Sequence, residues 1–297
     1  MSEEQKNPSS NDAQSADVGR REFVAFSVAA GLTATAVSAE AAAQIVETNV
    51  DITTPDGTCD AAFIHPKSGS HPAVIIWPDA FGLRPSMRDM AKRLAAEGYS
   101  VLVPNPFYRL TKPPFTDASN IDFAKEGAKI RPLMASIGAD GAAEKDATAF
   151  VEFFDKQKAA DKKKKIGVQG YCMGGALVVR TAAALPDRIG AGGSFHGGGL
   201  VTPRPNSPHL LAPKIKAKMY FGIANSDDKQ SPTDKDKLKE AFIAAHNPAE
   251  IEVYTTCQHG WCVPDMPKQA NGDATYNKPE AERAWGKLLA LYKAGIA

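Results

Sequence analysis

The stretch Gly170-Tyr171-Cys172-Met173-Gly174-Gly175 constrains what this chain can fold into more than any other. A short apolar run, Ile166-Gly167-Val168-Gln169, precedes it, and a segment of helical character, residues 176–184, follows. A buried strand that turns sharply into a helix needs glycine wherever a Cβ would strike the neighbouring strand or helix. The residue at the centre of such a turn is forced into a strained backbone conformation that carries its side chain into a cleft. Here that residue is Cys172. A buried thiol in a glycine-rich turn is the alternative, and residues further along the chain bear on the choice.

Two more candidates follow in order. Residues 215–223 read as a strand and lead to the acidic pair Asp227-Asp228, and residues 251–254 read as another and lead to Cys257-Gln258-His259-Gly260. Nucleophile, acid, then histidine is the chain order of the α/β-hydrolases, distinct from those of chymotrypsin and subtilisin. Loops that follow the strands of a parallel sheet bring their side chains together at its carboxyl edge.

The remaining pattern fits such a sheet. Residues 61–65, 73–77, 100–103 and 189–195 read as strands, the second apolar throughout and so buried on both faces. Residues 85–97, 142–156, 231–246 and 279–293 read as helices alternating with them, which predicts an α/β fold with a mostly parallel central sheet and helices on both faces. The proline-containing stretch 104–138 reads as a cap-like insertion over the cleft.

With these residues in view, the chain resembles the dienelactone hydrolase family from about Ile45 to the C-terminus. The Cys172 turn carries the resemblance, together with Trp77-Pro78-Asp79-Ala80-Phe81-Gly82-Leu83, Met87-Arg88-Asp89 and the His259 loop. It implies an α/β-hydrolase fold and hydrolysis of an ester or lactone through a Cys–Asp–His triad. It also implies a carboxylate at the resting thiol, usually glutamate, which falls here on Asp79, one methylene shorter. Asp228 is favoured over Asp227 as the triad acid, because the family often has proline four residues beyond its acid and Pro232 fits. Arg109 matches a position that binds the substrate carboxylate. The family's second arginine, four residues beyond the histidine, falls on Val263, a departure that argues against the family's dienelactone substrate.

Cysteine alters the chemistry. A free thiol with a pKa near 8.5 is only a few per cent ionised at neutral pH, so His259 is expected to take its proton, with the acid orienting the imidazole. Thiolates expel activated leaving groups such as enolates more readily than alkoxides or amines, which favours enol lactones and activated esters. The backbone N–H of Met173 is the expected oxyanion donor, and a second from Ala80 matches the family's arrangement. Tyr171, Trp261 and Phe81 could line the pocket or belong to the core. His196, at the end of a strand, is either a substrate contact or a turn residue. A carboxylesterase or thioesterase, a non-catalytic binding protein and a redox-reactive thiol protein are the competing readings.

The N-terminus points to export. Gly19-Arg20-Arg21-Glu22-Phe23 precedes a weakly apolar stretch, residues 25–37, and small-residue cleavage sites at Val37-Ser38-Ala39 or Ala41-Ala42-Ala43. Residues 1–43 are therefore expected to be a twin-arginine signal read by that export machinery, leaving 44–297 as a periplasmic hydrolase-like domain of a size that supports a full core. The formal net charge of +1 implies no attraction to nucleic acid or to an anionic membrane. Cys257 and Cys262 could pair as a disulfide. No cysteine–histidine grouping has zinc spacing, so no metal or cofactor is expected. The partner is a small-molecule ester or lactone, and a monomer is expected. Replacing Arg20 and Arg21 together by lysine should strand the precursor in the cytoplasm. Normal N-terminal processing of that variant in the periplasmic fraction would exclude the twin-arginine route.

Overall fold

The computed structural model describes residues 44–114 and 123–296; the expected export signal lies outside them. An eight-stranded sheet runs in the order β1-β2-β4-β3-β5-β6-β7-β8. The strands are β1 (Ile45–Thr54), β2 (Gly57–Pro66), β3 (Ala73–Trp77), β4 (Ser100–Pro104), β5 (Ile166–Tyr171), β6 (Ile189–Phe195), β7 (Lys218–Ala224) and β8 (Glu250–Tyr254). β1 pairs antiparallel with β2, β2 antiparallel with β4, and the remaining neighbours are parallel.

The central strands β3, β4, β5 and β6 are buried along their whole length. That is why they read, apart from the hydrogen-bonded Gln169, as continuous apolar or small-residue runs rather than alternating ones. Side chains along the sheet divide by parity between two cores. Phe63, Ile75, Trp77 and Phe221 face α3 (Ala142–Lys156) and α4 (Met173–Ala184). Ile64, Val74, Ile76, Tyr171 and Tyr220 face α1 (Pro85–Ala96) and α7 (Lys278–Gly295).

Helix boundaries follow local chemistry. Pro85 opens α1, Met87, Ala91, Leu94 and Ala95 form its buried stripe, and Gly98 at φ +90° closes the turn behind it. Asn277 caps α7 by accepting the Glu280 N–H at 3.3 Å, and Ala281, Ala284, Leu288 and Tyr292 repeat at helical spacing against the sheet.

Several expectations are corrected. The strand expected over 215–223 begins at Lys218, after a short 3-10 helix (Pro208–Lys214). The single helix expected over 231–246 starts only at Asp234, as α6 (Asp234–Ala244), because Pro232 interrupts the path. The acidic pair, expected in a loop, belongs to a separate short helix, α5 (Asn225–Gln230). β1 escaped notice because its exposure is irregular along the edge of the sheet. Within the proline-containing insertion, α2 (Phe123–Gly138) packs Ile130 and Met134 against Ala80, Phe81 and Met266. Among the described residues no helix is long and apolar enough to cross a membrane.

Phe150 is fully buried with its ring 5.6 Å from that of Trp77. Phe150→Ala should lower the unfolding free energy by about 3–5 kcal/mol, whereas Leu210→Ala at an exposed position should stay within about 0.5 kcal/mol. Urea denaturation of both variants checks this.

Candidate active site

Cys172 sits between β5 and α4 with φ 53° and ψ −119°. That conformation costs on the order of 1–3 kcal/mol for a non-glycine residue and persists only where its surroundings hold it. The glycines explain how it is tolerated. A Cβ on Gly170 would collide with the Gly174 carbonyl, and one on Gly174 with the Trp77 carbonyl, so only hydrogen permits the close approach of helix and strands. The thiol is half-buried at the N-terminus of α4, where the helix dipole favours negative charge.

His259 reaches this thiol from the loop after β8. Its backbone N–H donates to Ser226 Oγ at 2.8 Å, and its Nδ1 lies 2.9 and 3.0 Å from the two carboxylate oxygens of Asp227. Burial works against a charged imidazole. Hydrogen bonds with Asp227 and with the Cys172 thiol outweigh it and raise the His259 pKa to about 10. Cys172, His259 and Asp227 thus form a connected row.

The acid facing His259 is Asp227, not the expected Asp228. Adjacent helical residues point about 100° apart, so only one of the pair can meet the imidazole. Asp228 turns to Lys235, whose Nζ donates to it at 2.6 Å and to the Pro232 carbonyl at 2.9 Å.

Asp79 is buried, but its carboxylate is held by arginine and by its own turn. Arg84 donates to both oxygens at 2.7 and 2.9 Å, and the Phe81 N–H donates to Oδ1 at 2.9 Å. The same guanidinium grips Asp265 in the histidine loop at 2.7 and 2.8 Å. The expected contact of Asp79 with the resting thiol is therefore replaced by a clamp joining the Asp79–Gly82 turn to the segment beyond His259. Ala80 lies inside this turn, and Met173 is the first residue of α4.

Arg109 is likewise committed elsewhere. It donates to Asp146 at 2.7 and 2.9 Å and to Asp56 at 2.9 and 3.2 Å, and its guanidinium lies over the Tyr108 ring. Two carboxylates already neutralise it, which corrects its expected role in binding a substrate carboxylate. Val263 is fully buried. Trp261 and Tyr171 are core residues, with Trp261 packed against Tyr254 and His196. Cys59, Cys257 and Cys262 are buried free thiols. Among the described residues no group of three His, Cys, Asp or Glu could hold a metal ion.

A cavity of about 490 Å³ opens beside His259 and Asp227. Leu200, Val201, Ile223 and Leu238 give it apolar walls, and the Asp228–Lys235 ion pair stands in its lining. A cavity of about 550 Å³ lies between α1 and α7 and is not lined by His259, and Cys172 is not among the lining residues of either cavity.

A mostly parallel eight-stranded sheet, helices on both faces and a strained cysteine turn after β5 define an α/β-hydrolase fold. The dienelactone hydrolase family model matches residues 59–295, and the chain belongs to that family. A carboxymethylenebutenolidase of Rhodococcus opacus is 26% identical over 210 residues, covering 69% of this chain and 77% of that protein. The structure of a dienelactone hydrolase-like promiscuous phosphotriesterase from metagenomic libraries superposes with a TM-score of 0.68 at 22% identity, covering 86% of this chain and all of the other. The Pyrococcus furiosus esterase Pf2001 gives a TM-score of 0.58 at 18% identity over 85% of this chain and 94% of its own. The family is one of ester and lactone hydrolases acting on small molecules.

Asp227→Asn should lower kcat by up to about 10⁴-fold, as loss of the carboxylate behind a catalytic histidine does. The charge of Asp227 raises the His259 pKa, so removing it lowers that pKa, and the alkaline limb of kcat/KM should move to lower pH. Asp228→Asn should leave kcat within about twofold and the limb unmoved. A pH–rate profile of the two variants on an aryl ester distinguishes them.

Proposed function

We propose that the chain hydrolyses a neutral, activated ester or lactone, with Cys172 as nucleophile, His259 as base and acid, and Asp227 as the orienting carboxylate. The observation that carries this reading is the convergence of a thiol held at positive φ with a histidine whose other nitrogen meets a carboxylate. The Cys172 thiol gives its proton to His259, and its sulfur attacks the acyl carbon. The N–H groups of Met173 and Ala80 receive the oxyanion. Collapse expels the enolate or phenolate oxygen, which takes the proton from His259. Water, deprotonated by His259, then cleaves the thioester and regenerates the thiol. Asp227 keeps Nδ1 protonated throughout and offsets the charge of the imidazolium.

Charge pairing supports a neutral substrate. Arg84 is held by Asp79 and Asp265, Arg109 by Asp56 and Asp146, and Lys235 by Asp228. A substrate carboxylate would have to displace one of these partners. Apolar walls beside His259 suit an uncharged substrate. Export by the twin-arginine route belongs to the same reading, because Arg20-Arg21 precede a weakly apolar stretch; it would place the enzyme in the periplasm.

Mass spectrometry of protein quenched during turnover of an aryl ester should find the acyl group on Cys172. Cys172→Ala should lose on the order of 10⁶-fold in turnover. A dienelactone carboxylate should be at least about tenfold poorer in kcat/KM than a neutral enol lactone, since a charge-assisted contact contributes roughly 1.5–3 kcal/mol and none is offered. An adduct on Ser194 or another residue would refute the nucleophile, and equal rates on the two lactones would refute the neutral preference.

A further inference from the structure

The segment at the end of β6, Phe195-His196-Gly197-Gly198, encloses the backbone of Cys172. The Cys172 N–H points to the Phe195 carbonyl and to His196 Nδ1, both at 3.1 Å. The Cys172 carbonyl accepts the Gly198 N–H and the Gly175 N–H, both at 3.0 Å. A Cβ on Gly175 would strike the Gly197 Cα and Ser194 Oγ, so the two glycine-rich stretches are in contact. The strained nucleophile is thus gripped at its amide and its carbonyl from one neighbouring segment, and a single side chain, that of His196, takes part in the grip.

His196 is not an ordinary buried ring. It adopts φ +40°, a region that histidine enters more often than most residues other than glycine, and its backbone N–H is fixed to the Gly222 carbonyl at 2.8 Å. It is completely buried. Because Nδ1 accepts an N–H, the ring is neutral and its proton resides on Nε2. Among the described residues that Nε2–H has no hydrogen-bond acceptor. The ring lies 4.8 Å from that of His259 at 66°, 5.3 Å from that of Trp261 at 70°, and 6.0 Å from that of Tyr171. Burial, with the nearby His259 charge as a second cause, holds the His196 pKa well below the ordinary histidine value. A neutral ring can lie edge-on to an imidazolium without repelling it.

We propose that His196 is a positioning residue for the reacting pair, holding the Cys172 amide through Nδ1 and fixing the plane of His259 through its ring. This rests on the reading of Cys172 and His259 as nucleophile and base. A residue that merely filled space here would not need an acceptor aimed at the Cys172 N–H. Misplacing a reacting atom by about 1 Å costs on the order of 10²-fold in rate, so the two contacts together are worth retaining despite an orphaned N–H.

Three substitutions separate the contacts. His196→Asn can present Oδ1 near the position of Nδ1 and tolerates positive φ, but lacks the ring. His196→Phe keeps a ring and loses the acceptor. His196→Ala loses both. The readouts are kcat and KM on an aryl ester, thermal melting, and the pH dependence of Cys172 alkylation by iodoacetamide, followed on the Cys172 peptide by mass spectrometry.

His196→Ala should lose on the order of 10²-fold in kcat with KM within about threefold, and the pH dependence of its Cys172 alkylation should differ from that of the wild type, because the imidazole facing the thiol is no longer held in plane. His196→Asn should recover about tenfold of the lost kcat, and His196→Phe should recover melting temperature without kcat. If His196→Phe matches the wild type in kcat and alkylation profile, or His196→Asn recovers nothing over His196→Ala, the proposal fails. Should His196→Ala not fold, the comparison of the Asn and Phe variants decides alone. Absence of any acyl adduct in the wild type would remove the hydrolase reading, while the alkylation profiles would still test the role of His196.

Discussion

The close approach of α4 to β3 and β5 is the constraint on which the rest of the molecule depends. Gly170 and Gly174 let the helix begin within contact of the strand backbones, and Cys172 at the junction takes a conformation that an isolated chain would rarely adopt. The sheet and its two cores supply the rigidity that maintains this strain. Trp77 shows the dependence directly: its carbonyl lies against Gly174, its ring packs on Phe150, and its indole N–H donates to Thr181 in α4 at 3.0 Å. One β3 residue therefore ties the turn to the helix that follows it.

Around this junction, charge is used for anchorage more than for recognition. Arg84 binds two carboxylates contributed by distant parts of the chain and fixes the Asp79–Gly82 turn against the histidine loop. Arg109 does the same for the β1–β2 turn and α3 through Asp56 and Asp146. Buried ion pairs of this kind add little net stability but cost several kcal/mol when one partner is removed. Their effect is to specify geometry, which is what a site built from separate loops requires.

Much of this was legible in the sequence because the relevant signals are local. The glycine spacing around Cys172, the apolar runs of β3 and β5 and the histidine loop after β8 each depend on residues within a few positions of one another. What escaped was set by long-range contact or by orientation. Nothing near Arg84 announces its second partner, Asp265, 181 residues away. The choice between Asp227 and Asp228 is a matter of helical phase within α5, which the proline spacing that favours Asp228 does not report. Arg109 matched a family position, but its orientation is dictated by Asp146 on α3, which no pattern at residue 109 can reveal.

The order of the strands has a consequence for synthesis. Cys172 follows β5, Asp227 follows β7 and His259 follows β8, the last strand of the sheet. A chain emerging from the ribosome therefore carries Cys172 for nearly ninety residues before His259 exists, and the clamp from Arg84 closes only when Asp265 is made. Until the carboxyl-terminal strand docks, the half-built sheet holds Cys172 without the histidine that meets it in the finished fold, so on the proposed function any reactivity of the thiol waits for the fold to be complete.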